Sequence, residues 1–181
     1  FRNVRTNLQF MLENGKNVIL VTSTISGEGK SFVSSNLAIS LSLLGKKVVI
    51  VGLDIRKPGL NKVFNLSRKE HGITQFLTNP TVDLMDLVQP SDINKNLFIL
   101  PGGAVPPNPT ELLARDSLEK AIETLKVSFD YVILDTAPVG MVTDTLLIGR
   151  TADLSIYVCR ADYTRKAEFS LINELSLIHI S

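Results

Sequence analysis

Thr24-Ile25-Ser26-Gly27-Glu28-Gly29-Lys30-Ser31 is the stretch whose reading decides the fold. It follows the apolar run Asn17-Val18-Ile19-Leu20-Val21-Thr22-Ser23 and precedes a helical pattern from Phe32 to Leu44. Strand, glycine-containing loop, Gly-Lys-Ser and helix, in that order, are the layout of a phosphate-binding loop. Gly27 and Gly29 permit the tight turn that aims backbone N–H groups inward. The start of the helix adds unpaired N–H donors and the positive end of its dipole. Candidate phosphate contacts are therefore Ser26, Gly27, Glu28, Gly29, Lys30, Ser31 and Phe32. Lys30 carries a full positive charge for the β- and γ-phosphates, and the Ser31 hydroxyl suits Mg²⁺. Gly-Lys-Ser alone is more often a plain helix start; the strand before it and the helix after it argue for the nucleotide reading. One departure stands out: the usual pattern opens with Gly where this chain has Thr24, so the loop need not curve in the standard way.

Composition narrows the classes. A length of 181 residues predicts a single domain over 1–181 with a substantial core. Hydrophobic residues at 44% and charged residues at 20% are those of a soluble globular protein. A net charge of +1 gives no case for nucleic acid as a partner. Cys159 is the single cysteine, so no intrachain disulfide forms, which fits a reducing cytoplasm. No apolar run approaches the length of a membrane span, and no signal peptide is read. Phe1 is not a start Met, and the expectation is a fragment truncated at both ends.

Further along, strands alternate with helices. Val4, Leu8, Met11 and Leu12 form an apolar stripe that predicts a helix over Phe1–Asn14, with Gly15 as its stop. Arg2 and Arg5 share another face of it, a solvated face or a subunit contact. Val48–Val51 is a second apolar strand, and like the first it does not alternate, as expected in a parallel sheet covered on both sides. It runs into Gly52-Leu53-Asp54-Ile55-Arg56-Lys57-Pro58-Gly59. Ligands bind at the carboxyl ends of such strands, which makes Asp54 and Arg56 site candidates; Pro58-Gly59 equally suits a solvated turn. Short helices are expected at Ile73–Leu77 and Asp83–Val88, and a third strand at Leu97–Leu100. Asn108, Pro109 and Glu111 predict a capping box that starts the next helix at the sheet's carboxyl edge. Ser117–Val127 reads as a helix and Tyr131–Leu134 as a fourth strand, closed by Asp135. An acid at the end of an apolar strand downstream of a phosphate loop is the expected second Mg²⁺ partner. Thr143–Arg150, Leu154–Cys159 and Thr164–Leu175 follow as helix, fifth strand and last helix, with Cys159 expected as a buried, inert thiol. The whole is a three-layer α/β P-loop NTPase fold with a mainly parallel sheet.

Taken together the motifs resemble the cytoplasmic domain of the bacterial tyrosine kinases (BY-kinases) of capsule and exopolysaccharide export. Thr22–Ser31 is similar to the family's modified Walker A, Val48–Arg56 to its A-prime motif and Ile133–Pro138 to its Walker B. Pro106–Leu113 is similar to its proline stretch, and Arg2 and Arg5 resemble the end of its Glu-x-x-Arg-x-x-Arg helix. The resemblance implies an ATP- and Mg²⁺-dependent protein-tyrosine kinase. Lys30, Asp54 and Asp135 would be catalytic; Ser31, Asp54 and Asp135 would serve the metal; Arg2 and Arg5 would serve a ring-like homo-oligomer. It also implies a tyrosine-rich tail presented by a neighbouring subunit. It implies a membrane polysaccharide co-polymerase region in the same or a partner chain, and a place at the cytoplasmic face of the bacterial inner membrane. Two departures are visible: Gly52 stands where the family's first A-prime acid belongs, and Tyr131, Tyr157 and Tyr163 are scattered rather than clustered.

Two other classes share these features. A regulatory ATPase of the cell-division and partition type has the same loop layout but a signature Lys where this chain has Ile25. An assembly module without useful catalysis would account for Gly52 and would leave Arg2 and Arg5 as the functional pair.

Overall fold

The structure is a computed structural model that describes residues 2–12, 15–66, 70–140, 143–165 and 167. Its centre is a six-stranded sheet in the order β3-β4-β2-β5-β1-β6, formed by β1 (Val18–Ser23), β2 (Val48–Gly52), β3 (Gln89–Pro90), β4 (Leu97–Leu100), β5 (Tyr131–Asp135) and β6 (Leu154–Val158). All pairings are parallel except β3 with β4. The two-residue β3 has no sequence signal of its own. It is an edge strand, where Pro90 need not donate to a further neighbour.

The lack of alternation in the strands has the expected cause. Val18, Leu20, Val49, Val51, Val132 and Leu134 point into one core. There they meet α4 (Ile73–Thr78), α5 (Pro109–Leu113), α6 (Asp116–Ser128) and α7 (Asp144–Gly149). Ile19, Val21, Val48, Ile50, Leu97 and Ile133 point into a second core. That face is covered by α1 (Arg2–Met11), α2 (Lys30–Ser42) and α3 (Leu60–Val63). Both faces of the sheet are dry, so both sets of positions are apolar. Each of these side chains contributes about 1.5–3 kcal/mol by leaving water.

Several local expectations are corrected. Asp83–Val88 is a single 3-10 turn at Met85–Leu87, held by the Asp83 carboxylate on the Met85 N–H at 2.9 Å. Asn108 sits at the N-cap of α5, but its side chain caps no backbone N–H. Its Nδ2 donates to Glu111 Oε2 at 2.8 Å, so the capping-box residues pair with each other instead. In α1 only half the apolar stripe is covered: Leu8 is buried, while Val4 and Met11 are exposed. Cys159 is exposed, because β6 ends one residue earlier and the chain leaves the sheet there. Nearly all of the helix expected at Thr164–Leu175 lies outside the described residues, as does the Arg2 side chain. Among the described residues no helix is long and apolar enough to cross a membrane.

Candidate active site

The carboxyl ends of β1, β2 and β5 lie side by side because those three strands are neighbours in the sheet. The loop after β1 turns at Gly27 and Gly29, whose φ values of 90° and 95° are left-handed. A side chain is disfavoured in that region, so glycine is what lets the loop close onto α2. The loop is anchored to the loop after β5. Val139 and Gly140 donate to the carbonyls of Ser23 and Thr24 at 2.8 and 3.0 Å, and Thr22 Oγ1 donates to the Ala137 carbonyl at 3.1 Å. Phe32 is largely exposed at the first turn of α2.

Asp135 ends β5 and is 2% exposed. Ser31 Oγ donates to its Oδ2 at 2.8 Å, and Ser34 Oγ donates to its Oδ1 at 3.0 Å. Ser31 and Ser34 are three apart on α2, hence on one face. Burial pushes the Asp135 carboxyl up to about 6, against the two serine bonds and the Lys30 charge, which favour the carboxylate. Lys30 is itself buried, and desolvation lowers its pKa against the opposing pull of Asp135, Asp54 and Glu28. The Lys30 ammonium group thus feels the charges of Asp135 and Asp54 together, Asp135 the more strongly. The Glu28 side chain is buried and accepts the Ile25 N–H on Oε2 at 2.8 Å.

Asp54 is supported differently. Its backbone N–H donates to the Asp135 carbonyl at 3.1 Å, which ties the two strand ends together. Its carboxylate is half-buried and accepts the Lys57 N–H at 3.0 Å. Burial raises its pKa, opposed chiefly by that bond and by the Lys30 charge. Gly52, opposite Asp135 in the β2–β5 register, occupies a crowded position. A Cβ built on it lies 3.0 Å from the Gly102 nitrogen and 3.3 Å from a Leu60 methyl. A side chain at this position would need the Gly102 backbone and the Leu60 methyl to give by a few tenths of an ångström.

Arg56 is not aimed at the phosphate loop. Its Nε donates to Asp144 Oδ2 at 2.6 Å, and its Nη2 donates to Asp144 Oδ1 at 3.2 Å and to Thr110 Oγ1 at 2.7 Å. Thr110 also donates to Asp144 Oδ1 at 2.8 Å. Burial works to raise the Asp144 pKa, but the bonds from Arg56 and Thr110 and the Arg56 charge outweigh it and hold it below the ordinary value. This clasp joins the Asp54 loop to the first turns of α5 and α7. Sequence reasoning missed Asp144, since a pairing 88 residues apart leaves no local pattern. It also missed Ser34, which the three-residue spacing from Ser31 was enough to suggest.

Away from the site, Arg5 leans on α2, with Nη1 at 3.4 Å from Ser40 Oγ. Among the described residues no three His, Cys, Asp or Glu side chains are grouped to hold a metal by themselves. A hydroxyl and a carboxylate in contact beside a phosphate loop do fit Mg²⁺, which takes one or two protein oxygens and completes its shell with phosphate and water.

Comparison with known proteins follows the same lines. A family model described as an AAA domain, AAA_31, matches residues 16–179. Tyrosine-protein kinase CpsD of Streptococcus agalactiae (serotype III, strain NEM316) is 36% identical over 173 residues, covering 93% of this chain and 73% of that protein. Tyrosine-protein kinase YwqD of Bacillus subtilis (strain 168) is 33% identical over 175 residues, covering 96% and 73%. The solved kinase domain of Escherichia coli tyrosine kinase ETK matches with a TM-score of 0.92 and 32% identity, covering 98% of this chain and 69% of that one. The septum site-determining protein MinD from Pyrococcus horikoshii OT3, solved with Mg-ADP, matches with a TM-score of 0.73 at 22% identity, a likeness of fold alone. A matching AAA family model and one-third identity over nearly the whole chain make this protein a member of the bacterial tyrosine-protein kinase family.

Proposed function

We propose that this chain binds ATP with Mg²⁺ and transfers the terminal phosphoryl group to tyrosine, as the kinase domain of a capsule or exopolysaccharide system. The observation that carries the reading is the Ser31–Asp135–Ser34 lock, with Lys30 beside it at the end of the phosphate loop. The loop from Ser26 to Phe32 would hold the phosphates through its N–H groups, and Lys30 would offset their charge. Ser31 and Asp135 would hold Mg²⁺, with Asp54 as a further acid near it. The bound ion supplies neutralisation of charge that builds on the phosphoryl oxygens. Asp54 is the group open enough to take the phenol proton, and burial that raises its pKa makes it a better acceptor. The acceptor tyrosines would lie in the tail of a neighbouring subunit, in a ring that Arg2 and Arg5 help to join. A membrane co-polymerase region at the cytoplasmic face of the inner membrane completes the proposal.

The test is phosphotyrosine mass spectrometry on the full-length protein incubated with ATP and Mg²⁺, in cells or extracts lacking other such kinases. Labelled tyrosines in the wild type and none in Lys30→Met are expected. Equal labelling in Lys30→Met would refute the proposal. Steady phosphate release with no phosphoprotein would move the chain to the regulatory ATPases.

A further inference from the structure

The phosphate loop is gripped on its outer side by a segment that the reading above leaves idle. Residues 159–164 leave β6, the strand beside β1. From this edge, four side chains reach four loop residues. The Tyr157 hydroxyl bonds that of Thr24. Tyr163 Oη donates to the Ser26 carbonyl at 3.1 Å, and Arg160 Nη1 donates to the Gly27 carbonyl at 3.2 Å. Thr164 Oγ1 donates to Glu28 Oε1, while the other oxygen of that carboxylate takes the Ile25 N–H. The segment is itself braced. Arg160 lies over the Tyr163 ring, 5.1 Å from its centroid, and the Arg160 N–H donates to Thr164 Oγ1 at 2.9 Å.

The consequence follows from the peptide group. A trans peptide is planar, and its N–H points opposite to its C=O. Drawing the Ser26 and Gly27 carbonyls outward turns the N–H groups of Gly27 and Glu28 inward, toward the side where phosphates would lie. Glu28 acts at the other peptide pole: it accepts the Ile25 N–H, which takes that donor up and fixes the start of the loop where Thr24 replaces the glycine that usually opens it.

We infer that Arg160–Thr164 is a strap that shapes the phosphate loop, and that Glu28 and Thr164 are positioning residues for phosphate binding through the loop's backbone. This rests on the nucleotide reading proposed above. It assigns the strap to the phosphates and not to the base, so inorganic pyrophosphate distinguishes the two.

The experiment is calorimetric titration of Mg-pyrophosphate and of Mg-ADP into the whole chain, with melting curves of the ligand-free proteins alongside. A lost hydrogen bond to a charged group predicts about tenfold weaker binding of both ligands by Thr164→Val. Thr164→Ser, which keeps the hydroxyl, should restore it, and Tyr163→Phe should weaken both ligands by about threefold. Thr164→Ser and Tyr163→Phe should melt with the wild type; Thr164→Val, which leaves the buried Glu28 oxygen without its donor, should melt a few degrees lower yet stay folded at the titration temperature. Glu28→Gln keeps an acceptor for the Ile25 N–H and should weaken binding less than Glu28→Ala. Unchanged affinity for both ligands in Thr164→Val and Tyr163→Phe would overturn the inference. So would a loss confined to Mg-ADP, which would make the segment a wall for the base. Failure of the wild type to bind either ligand would sink the nucleotide reading beneath it.

Discussion

The two acids of the site face one ammonium group from supports of opposite character. Asp135 forms the floor: it is buried at a strand end, and two hydroxyls from α2 hold both its oxygens. Asp54 forms the rim: it is half-buried in a turn, and one backbone N–H holds one oxygen. The floor is assembled before any ligand arrives, which suits a metal partner whose geometry must not be reorganised. The rim is held by a single bond, which would suit the proposed role of meeting a phenol and receiving its proton. The neighbouring strands bring the two acids to one edge of the sheet, but their side-chain surroundings differ, and on the proposed function that difference would divide the work.

Substitutions at each acid should separate floor from rim. The largest effect is expected for Asp135→Asn, which should lower tyrosine labelling by about 10³-fold or more at saturating ATP. Labelling near the wild-type rate would show that the floor is not the metal site. Asp54→Asn should cost about 10²–10⁴-fold in the same assay. A smaller loss would mean that the rim positions the phenol without taking its proton. Next comes the clasp that carries the rim. Asp144→Ala leaves Arg56 and Thr110 without their shared acceptor, and the Arg56 side chain is 39% exposed, so water relieves part of the loss. We expect about 1–2 kcal/mol of destabilisation and roughly tenfold slower labelling, seen in a denaturant titration and a labelling time course.

Gly52→Asp tests the rim sterically. With the Gly102 nitrogen 3.0 Å from the new Cβ, backbone must shift. The melting temperature should fall by roughly 3–10 °C, and phosphotyrosine should not rise; a rise at unchanged stability would show that the loop yields freely. The pH dependence is the gentlest test. Asp135 ionises near 6 in the fold and near 3.8 in an unfolded chain. The folded protein therefore binds more protons between those values, and stability falls as pH rises through that window. The penalty is fully present above pH 6. Asp135→Asn should therefore melt a few degrees higher than the metal-free wild type at pH 7.5 and match it near pH 4.

Sequence periodicity and loop chemistry carried most of the architecture, because a parallel sheet with two dry faces demands unbroken apolar runs at 18–21, 48–51 and 131–134. The phosphate loop and both acids were readable for a related reason: each sits where an apolar strand stops. What escaped depended on tertiary neighbours. Asp144 looks like any helix-start acid until Arg56 is seen against it. Cys159 looked buried because it follows five strand residues, yet the strand ends before it. Thr164 reads as the start of a helix and Tyr163 as one of three scattered tyrosines; the placement of β6 beside β1 is what brings both to the phosphate loop. Gly52 reads as a missing acid, but only packing shows how closely the Gly102 backbone approaches it.

Calorimetric titration of Mg-ADP into Asp135→Asn and Asp54→Asn, side by side with the wild type, tests the division between floor and rim most directly. The floor variant should bind at least about 100-fold more weakly, whereas the rim variant should stay within about threefold. Equal losses at both positions, or a greater loss at Asp54, would contradict it.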